Sequence, residues 1–175
     1  GVYRDPLVKY ITNHDPVRAQ AEIGEEVNKE LQKLLDGTTA DRAYIFQFHN
    51  GVTFYNGEHA QRFTCTYEVV KPGVSREADK LQDLQVSVYS WWINQTLRGD
   101  MVFADIDSIP DYTTRYSLKV QGVKSIKCLP LIKDGKIIGI IGVDYVIQDN
   151  PFIDQMIYRE WFEDITINIS EHLRI

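Results

Sequence analysis

The sequence predicts an α+β fold. A central antiparallel sheet of about five to six strands is flanked by helices, with the N- and C-terminal helices packed together on one face. Three observations support this prediction. Apolar residues recur at three- and four-residue spacing near both ends of the chain, which is typical of amphipathic helices. Alternating or continuous apolar segments lie between these ends, as expected of strands. Asn-Gly and Asp-Gly pairs lie between several of these segments, so neighbouring strands should pair antiparallel.

The first helix is predicted over residues 15–36. Asp15 supplies an N-cap, and Pro16 takes the first helical position, where proline is well tolerated. Asp36 and Gly37 are expected to end the helix. Residues 1–14 then form an N-terminal extension. The apolar face of the helix comprises Val17, Ala21, Gly24, Val27, Leu31, Leu34 and Leu35.

The first two strands are predicted at residues 40–48 and 62–70, where apolar and polar positions alternate. A long hairpin is expected to join them. Residues 49–51 and 56–57 would lie in its loop, because both segments contain Asn-Gly.

The middle of the chain is predicted to contain short helices and one short strand. Glycine and proline residues punctuate this region and set the ends of its elements. The predicted elements are a short helix or loop at 77–84, a helix at 89–98, a strand at 101–104, a polar loop at 105–111 and a helix at 112–121.

The most informative segment is a hairpin formed by residues 125–132 and 136–146. Residues 134–135 between them are Asp-Gly, a turn pair whose positive φ angles match the twist of paired strands. The second strand is nearly continuous Ile and Val around Gly139 and Gly142, which indicates a central strand covered on both faces. The two glycines indicate either the close approach of a helix or ligand, or a bulge or bend of the sheet.

The last helix is predicted over residues 151–175, beginning near Pro151. Both terminal helices have apolar faces wider than one neighbour usually needs. We therefore predict a homodimer through these helices; the alternative is that both faces are buried within one chain. The apolar face of the last helix comprises Ile153, Met156, Ile157, Trp161, Phe162, Ile165, Ile169 and Leu173.

Composition argues against several classes of partner. The 175-residue chain is 43% hydrophobic and 11% aromatic, which is enough for one domain with a substantial core. A formal charge of −6 without clustered Lys and Arg argues against nucleic acids and anionic membranes. No apolar run reaches the roughly 20 residues that span a bilayer, so we expect a cytoplasmic domain or one excised from a larger protein. Cys65 and Cys128 are too few for a disulfide framework and predict buried, reduced thiols.

The order of these elements resembles that of a GAF domain, a small-molecule sensor module. The resemblance is carried by ADRAYIF at residues 40–46, GDMVFAD at 99–105, GVKSIKCLPL at 122–131 and GKIIGIIGV at 135–143. It implies a single domain over residues 1–175 with its core at residues 40–146. It also implies terminal helices that carry signals to an effector. The fold itself does not specify the ligand.

Features of the known subclasses of that family are missing. Cyclic-nucleotide-binding members carry an Asn-Lys pair followed by Phe and Asp-Glu, whereas residues 143–155 keep a Phe and one acid without the Asn-Lys. Bilin-binding members need a cysteine beside a histidine, and neither cysteine here has that neighbour. Members that reduce methionine sulfoxide use several loop and strand cysteines. We therefore expect no enzyme activity, no catalytic residues and no metal site. The sequence leaves the cofactor unknown.

The resemblance implies a pocket between the sheet and the helices and loops that cover one face. Phe46 and Phe48 share a side of the first strand, while Trp91 and Trp92 point about 100° apart, so that one of them should be core. The candidate ligand-binding residues are Phe46, Phe48, His49, Asn50, Tyr55, Trp91, Asp105, Asp107, Tyr112 and Cys128.

Each group of candidates has a structural alternative. The Asn50-Gly51 pair can form a turn, and His49 can be a surface residue. Asp105 or Asp107 can cap a short turn, as Asp111 should cap the following helix. The aromatic residues and Cys128 can belong to a dry core.

Two functions of different classes follow. The first is a non-catalytic regulatory sensor that binds a small molecule between sheet and lid and signals through the flanking helices. The second is a ligand-free structural module for dimerisation or protein interaction. A further hypothesis comes from FQFHNG at residues 46–51, which resembles a motif of small phage or mobile-element proteins. It would make the chain the soluble part of a membrane-anchored protein, with an apolar span before Gly1.

Overall fold

The structure, a computed structural model, describes residues 11, 12 and 14–173. The predicted N-terminal extension lies mostly outside these residues. The described α-helices are α1 (Pro16–Thr38), α2 (Ser90–Leu97), α3 (Tyr112–Val120) and α4 (Met156–His172). The strands are β1 (Arg42–Thr53), β2 (His59–Val70), β3 (Leu84–Gln85), β4 (Val102–Phe103), β5 (Ser125–Lys133) and β6 (Lys136–Tyr145). Two 3₁₀ helices span Ala78–Lys80 and Ile106–Ser108.

The six strands form one sheet in the order β3-β2-β1-β6-β5-β4. Every neighbouring pair is antiparallel, which confirms the predicted α+β class and the central antiparallel sheet. β1 and β6 form the centre, where Arg42 lies opposite Asp144 and Tyr44 opposite Gly142. The sequence did not predict β3, a two-residue strand that pairs with β2.

The terminal helices cover one face of the sheet, as predicted. α1 and α4 share a core cluster with alternate residues of the central strands, including Ala43, Ile45, Ile141 and Val143. Leu31 of α1, for example, is fully buried in that cluster, and burial of such a side chain stabilises the fold by about 1.5–3 kcal/mol.

The opposite face of the sheet is covered by α2, α3 and the 3₁₀ helix at Ile106–Ser108. Tyr44, Phe46 and Ile140 point to this side because strand residues alternate between faces, and they share a second core cluster with Trp92 and Leu118. The candidate functional site lies in this second layer.

The start of α1 is confirmed and its end is not. Asp15 caps the helix by accepting a hydrogen bond from the Arg18 N–H at 3.0 Å. The helix continues through Asp36 and Gly37 to Thr38, because Thr39 takes the left-handed conformation (φ 55°) and donates its N–H to the last turn.

The first hairpin is longer than predicted. Residues 49–51 lie within β1, which continues to Thr53, and β2 begins at His59, so the predicted loop at residues 49–51 is wrong. Pairs such as His49 opposite Arg62 extend the ladder beyond Phe48. Strand pairing therefore outweighs the local turn tendency of Asn50-Gly51.

The closing hairpin has the predicted turn, with positive φ at both Asp134 (53°) and Gly135 (75°). The glycines of β6 make room for β1, whose atoms lie nearest to both of them. A Cβ at Gly142 would lie 2.5 Å from the Tyr44 ring, and one at Gly139 would lie 2.2 Å from the Phe46 carbonyl oxygen. The alternative of a sheet irregularity is confirmed beside Gly139, where the pairing with β5 shifts register.

The last helix begins at Met156, so the predicted start near Pro151 is wrong. Residues 151–154 form turns, although Ile153 is still buried against the core. Phe162, Ile165 and Ile169 carry the buried stripe, as the apolar spacing predicted. No helix within residues 14–173 is long and apolar enough to cross a membrane.

Candidate functional site

A cavity of about 50 Å³ lies between the second face of the sheet and α3. β1, β2 and β6 form its floor. Thr114, Ser117 and Leu118 of α3 cover it, together with Gln121 just after the helix. Asp111 fixes the start of α3, because its carboxylate accepts hydrogen bonds from the Thr114 N–H at 2.9 Å and hydroxyl at 2.7 Å. The cavity has an aromatic side and a charged side.

The aromatic side is built from rings that meet edge to face. Phe46 lies 5.4 Å from Phe63 and 5.3 Å from Trp92, measured between ring centroids. Tyr89 closes this group 5.5 Å from Phe63. Edge-to-face pairs of this kind stabilise by about 0.5–1.5 kcal/mol beyond their buried area, so these contacts help to hold the wall together.

The charged side is organised by Arg42, which is 1% exposed. Its Nη1 donates to Asp144 Oδ2 at 3.3 Å, and its Nη2 donates to the Gln121 carbonyl at 2.7 Å. Nε and Nη2 donate to the carbonyl and hydroxyl of Ser75 at 2.9 and 3.1 Å. Glu77 Oε1 lies 3.6 Å from Nη2. Arg42 thus ties β1 to β6, to α3 and to the loop after β2.

Asp144 also holds Tyr44 in place. The Tyr44 hydroxyl donates to Asp144 Oδ1 at 2.8 Å and lies 3.6 Å from Cys128 Sγ. Burial raises the pKa of Asp144 from 3.8 to about 6, against the Arg42 guanidinium, which lowers it. Burial also raises the pKa of the Tyr44 hydroxyl well above its usual 10.

Glu68 supplies an unpaired acceptor on the charged side. Its Oε2 accepts a hydrogen bond from the Glu77 N–H at 2.8 Å. Its Oε1 is shielded from solvent and has no hydrogen-bond partner among the residues that the structure describes. A buried polar atom without a partner costs about 1–3 kcal/mol, and Glu68 lines the cavity.

Both cysteines lie in this layer as buried thiols. Burial raises the pKa of Cys65 to about 12 and that of Cys128 to about 12. Both thiols are therefore protonated at neutral pH and are weak nucleophiles. Within the described part of the chain, no group of three His, Cys, Asp or Glu side chains is placed to hold a metal ion.

The structure places one sequence-predicted candidate in the cavity wall and another next to it. Phe46 lines the cavity, and Cys128 lies behind the wall beside Tyr44. Trp92 faces the cavity, while Trp91 packs 6.0 Å from Phe103 outside it. Phe48 packs 6.3 Å from Phe63, farther along β1.

The other candidates lie away from the cavity. His49 and Asn50 are exposed on β1, and Tyr55 is fully exposed at the hairpin tip. Asp105 accepts a hydrogen bond from the Asp107 N–H at 2.9 Å, so it caps the 3₁₀ helix at Ile106–Ser108.

Two further candidates lie on the outer surface around α3. Asp107 pairs with Lys119 at 2.6 Å, and Tyr112 is exposed and stacks on Tyr116 at 5.8 Å. A ligand-binding role for all ten predicted residues stays a prediction.

The sequence patterns did not predict the charged side of the cavity, which consists of Arg42, Glu68, Glu77 and Asp144. A signal was available for the ion pair, because Arg42 and Asp144 interrupt two segments that are otherwise almost wholly apolar. Charges in such segments need partners. Glu68 and Glu77 had no comparable signal, because acidic residues on a half-exposed strand and a loop usually face solvent.

A family model for the GAF domain matches residues 22–172 of the chain. The blue-light-absorbing form of the PixJ GAF domain from Thermosynechococcus elongatus superposes with a TM-score of 0.68 at 14% identity, covering 87% of this chain and 85% of that chain. The GAF domain region of a Geobacter sulfurreducens PCA protein gives a TM-score of 0.63 at 14% identity, covering 89% and 95%.

A third solved structure is a far-red-absorbing dark state with bound biliverdin IXa. Its TM-score is 0.61 at 9% identity, and the match covers 89% of this chain and 94% of that chain. At these identities the similarity shows the fold alone. No protein of curated function matches the sequence.

Proposed function

Because this chain belongs to the GAF domain family, we propose that it is a non-catalytic sensory domain that binds a small molecule in the cavity beneath α3. The cavity carries this proposal. A wall of aromatic rings faces a small set of buried polar groups across it, which is the composition typical of small-molecule sites. Its cover, α3, is a short helix whose position a ligand can change.

The cavity volume limits the ligand. About 50 Å³ is far below the roughly 300–1,000 Å³ of sites for drug-sized ligands. A molecule as large as biliverdin, which one structural neighbour contains, does not fit without rearrangement. The ligand is a molecule of a few heavy atoms, or the head group of a larger one that extends past α3.

The signal would pass from the cavity to the terminal helices through β6. Asp144 faces the cavity, and its neighbour Tyr145 faces the other layer, because successive strand residues point to opposite faces. The Tyr145 hydroxyl donates to the Thr38 carbonyl at the end of α1 at 2.5 Å. A ligand that moves Asp144 therefore changes a contact of α1.

Binding can be measured by native mass spectrometry of the purified chain, followed by thermal shift across a library of small metabolites. A ligand at about 100 times its Kd stabilises by about 2.7 kcal/mol, which raises Tm by roughly 5–10 °C for a domain of this size. Ser117→Phe fills the cavity from α3 and should abolish the shift. Val120→Phe, on the exposed side of α3, is the matched control and should keep it. An equal shift in Ser117→Phe would place the ligand elsewhere.

A ligand-free structural module is the second candidate function, and the small cavity volume favours it. In that case the aromatic rings simply fill the core, and the ring wall and Arg42 network serve stability. The chain would then carry no co-purified mass. No library compound would raise Tm, and Ser117→Phe would change only stability.

A further inference from the structure

We infer that the cavity binds the ammonium or guanidinium head group of a small organic cation, with Glu68 as its counter-charge. This inference rests on the proposed function and names the class of ligand. Four observations carry it: the unpaired oxygen of Glu68, the charge balance, the existing hydrogen bonds of Arg42 and the aromatic wall.

The unpaired oxygen of Glu68 requires a donor. An ionised carboxylate only accepts hydrogen bonds, and Oε1 receives none from any described residue. Its sister atom Oε2 is already held by the Glu77 N–H, which fixes the orientation of the carboxylate. A ligand with N–H groups would donate the hydrogen bond that Glu68 Oε1 lacks.

The charge balance of the cavity favours a cation. Glu68, Glu77 and Asp144 line it with a single guanidinium, that of Arg42. Lys80, which is not part of the lining, also pairs with Glu77 at 3.5 Å. Three carboxylates against two cations therefore leave a net charge of about −1 when all are ionised. A carboxylate or phosphate ligand would add a further negative charge to this enclosed region, where charges of like sign repel strongly.

Arg42, the usual anchor for an anion, already uses most of its donors. A guanidinium has about five N–H donors. Four hydrogen bonds run from Arg42 to Ser75 (two), Gln121 and Asp144. An anion would find only the second Nη1 donor free, unless it replaced one of these buried contacts. A cation at Glu68 leaves them intact.

The aromatic wall suits a cation and its alkyl part. Phe46, Phe63 and Trp92 present ring surfaces to the same cavity, and ammonium and guanidinium groups are attracted to aromatic faces. The volume of about 50 Å³ is about one third of a cavity of roughly 150 Å³ that binds benzene. Methylammonium, ethylammonium and guanidinium are of the corresponding size.

The test compares charged and neutral ligands of the same shape on the full chain. Isothermal titration calorimetry and thermal shift would use methylammonium, ethylammonium and guanidinium chlorides at matched ionic strength. Methanol, ethanol and urea are the neutral counterparts, and acetate is the anion. We expect saturable binding of the cations alone, and this wild-type comparison needs no variant.

Glu68→Gln keeps the shape of the side chain and removes its charge. It should weaken cation binding by about tenfold or more, the effect of losing one charge-assisted hydrogen bond. Glu58→Gln, on the exposed hairpin tip, is the control and should bind as the wild type does. Unchanged affinity in folded Glu68→Gln overturns the role of Glu68.

The remaining outcomes separate this inference from the proposed function. Saturable binding of a neutral or anionic compound to the wild type but not to Ser117→Phe would overturn the proposal that the ligand is a cation. The same result would support the proposed small-molecule site. Saturable binding of no compound, charged or neutral, would overturn both.

Discussion

Arg42 and Asp144 form an ion pair that is almost fully buried between the two central strands, with 1% of each residue exposed. Desolvation of two such charges costs several kcal/mol, which their attraction offsets only when the geometry is good. The pair lies directly across the β1–β6 ladder. Its main effect is therefore to fix strand register and the position of α3, rather than to add net stability.

The raised pKa of Asp144 predicts a dependence of stability on pH. The folded-state pKa of about 6 lies above the usual 3.8. The protonated Asp144 carboxyl therefore makes its full contribution to folding stability below about pH 4, and that contribution is lost as pH rises through about 6. The shift corresponds to about 3 kcal/mol. The titratable groups that act on Asp144 or contact it are Arg42, Tyr44, Cys65, Glu68 and Cys128.

Asp144→Asn removes this titration. The free energy of unfolding of the wild type, minus that of Asp144→Asn, should fall by about 3 kcal/mol between about pH 4 and pH 7. Urea denaturation at both pH values measures this difference. Asp100→Asn, an exposed site, is the control and should give a difference that does not vary with pH. A difference that grows with pH would show that the pairing with Arg42 outweighs desolvation.

Helix α1 contains two glycines, and their replacement by alanine should change the stability of the fold in opposite directions. A Cβ at Gly24 would lie 3.7 Å from the Tyr67 ring, an ordinary contact. A Cβ at Gly37 would lie 2.2 Å from Trp161 Nε1, where α1 meets α4. Glycine in a helix interior costs about 0.5–1 kcal/mol relative to alanine.

Gly24→Ala should therefore raise the free energy of unfolding by about 0.5–1 kcal/mol. Gly37→Ala should lower it by about 1–3 kcal/mol, because the indole must be displaced. Urea denaturation of both variants checks this pair. Equal stabilisation by both would mean that Trp161 moves away at no cost and does not hold α1 against α4.

Short sequence motifs predicted correctly those ends and turns that depend on only a few neighbouring residues. Asp15-Pro16 starts α1 and Asp134-Gly135 turns the last hairpin as expected. The end of β1 was wrong, because pairing with β2 continues through Asn50 and Gly51. The rotation of α2, which turns Trp92 inward, was left open because tertiary packing decides it.

The site was less predictable than the fold. Phe46 was identified because the resemblance places its strand at the pocket. The charged side was missed because its partners are far apart in sequence: Arg42 and Asp144 are 102 residues apart. Glu68 has no local signal, because its enclosure depends on tertiary packing. The loop after β2 supplies the Glu77 N–H to its other oxygen.

At the scale of the whole molecule, the central strands connect the cavity with the layer of terminal helices. Asp41, beside Arg42, accepts hydrogen bonds from the N–H groups of Val146 and Ile147 at 2.6 and 3.0 Å. Asp41 also follows directly on the segment that ends α1. These hydrogen bonds hold the start of β1 to the residues after β6, close to the end of α1. This connection is the route that the proposed signal would take.

The terminal helices keep exposed apolar side chains after their main stripes are buried. Val17 is 76% exposed, Ile167 56% and Trp161 42%. Burial of a large apolar side chain contributes about 1.5–3 kcal/mol. We therefore predict that two copies of the chain associate through α1 and α4, which would also place the helices where a signal can pass to an attached partner.

Ile167→Glu tests this homodimer, because a charge in an apolar helix interface must be desolvated on association. Native mass spectrometry and light scattering should show a dimer for the wild type and a monomer for Ile167→Glu. Ile147→Glu, an equally exposed isoleucine outside these helices, is the control and should remain dimeric. A monomeric wild type would mean that both helices complete their packing within one chain. Dissociation by Ile147→Glu but not by Ile167→Glu would move the interface to the end of β6.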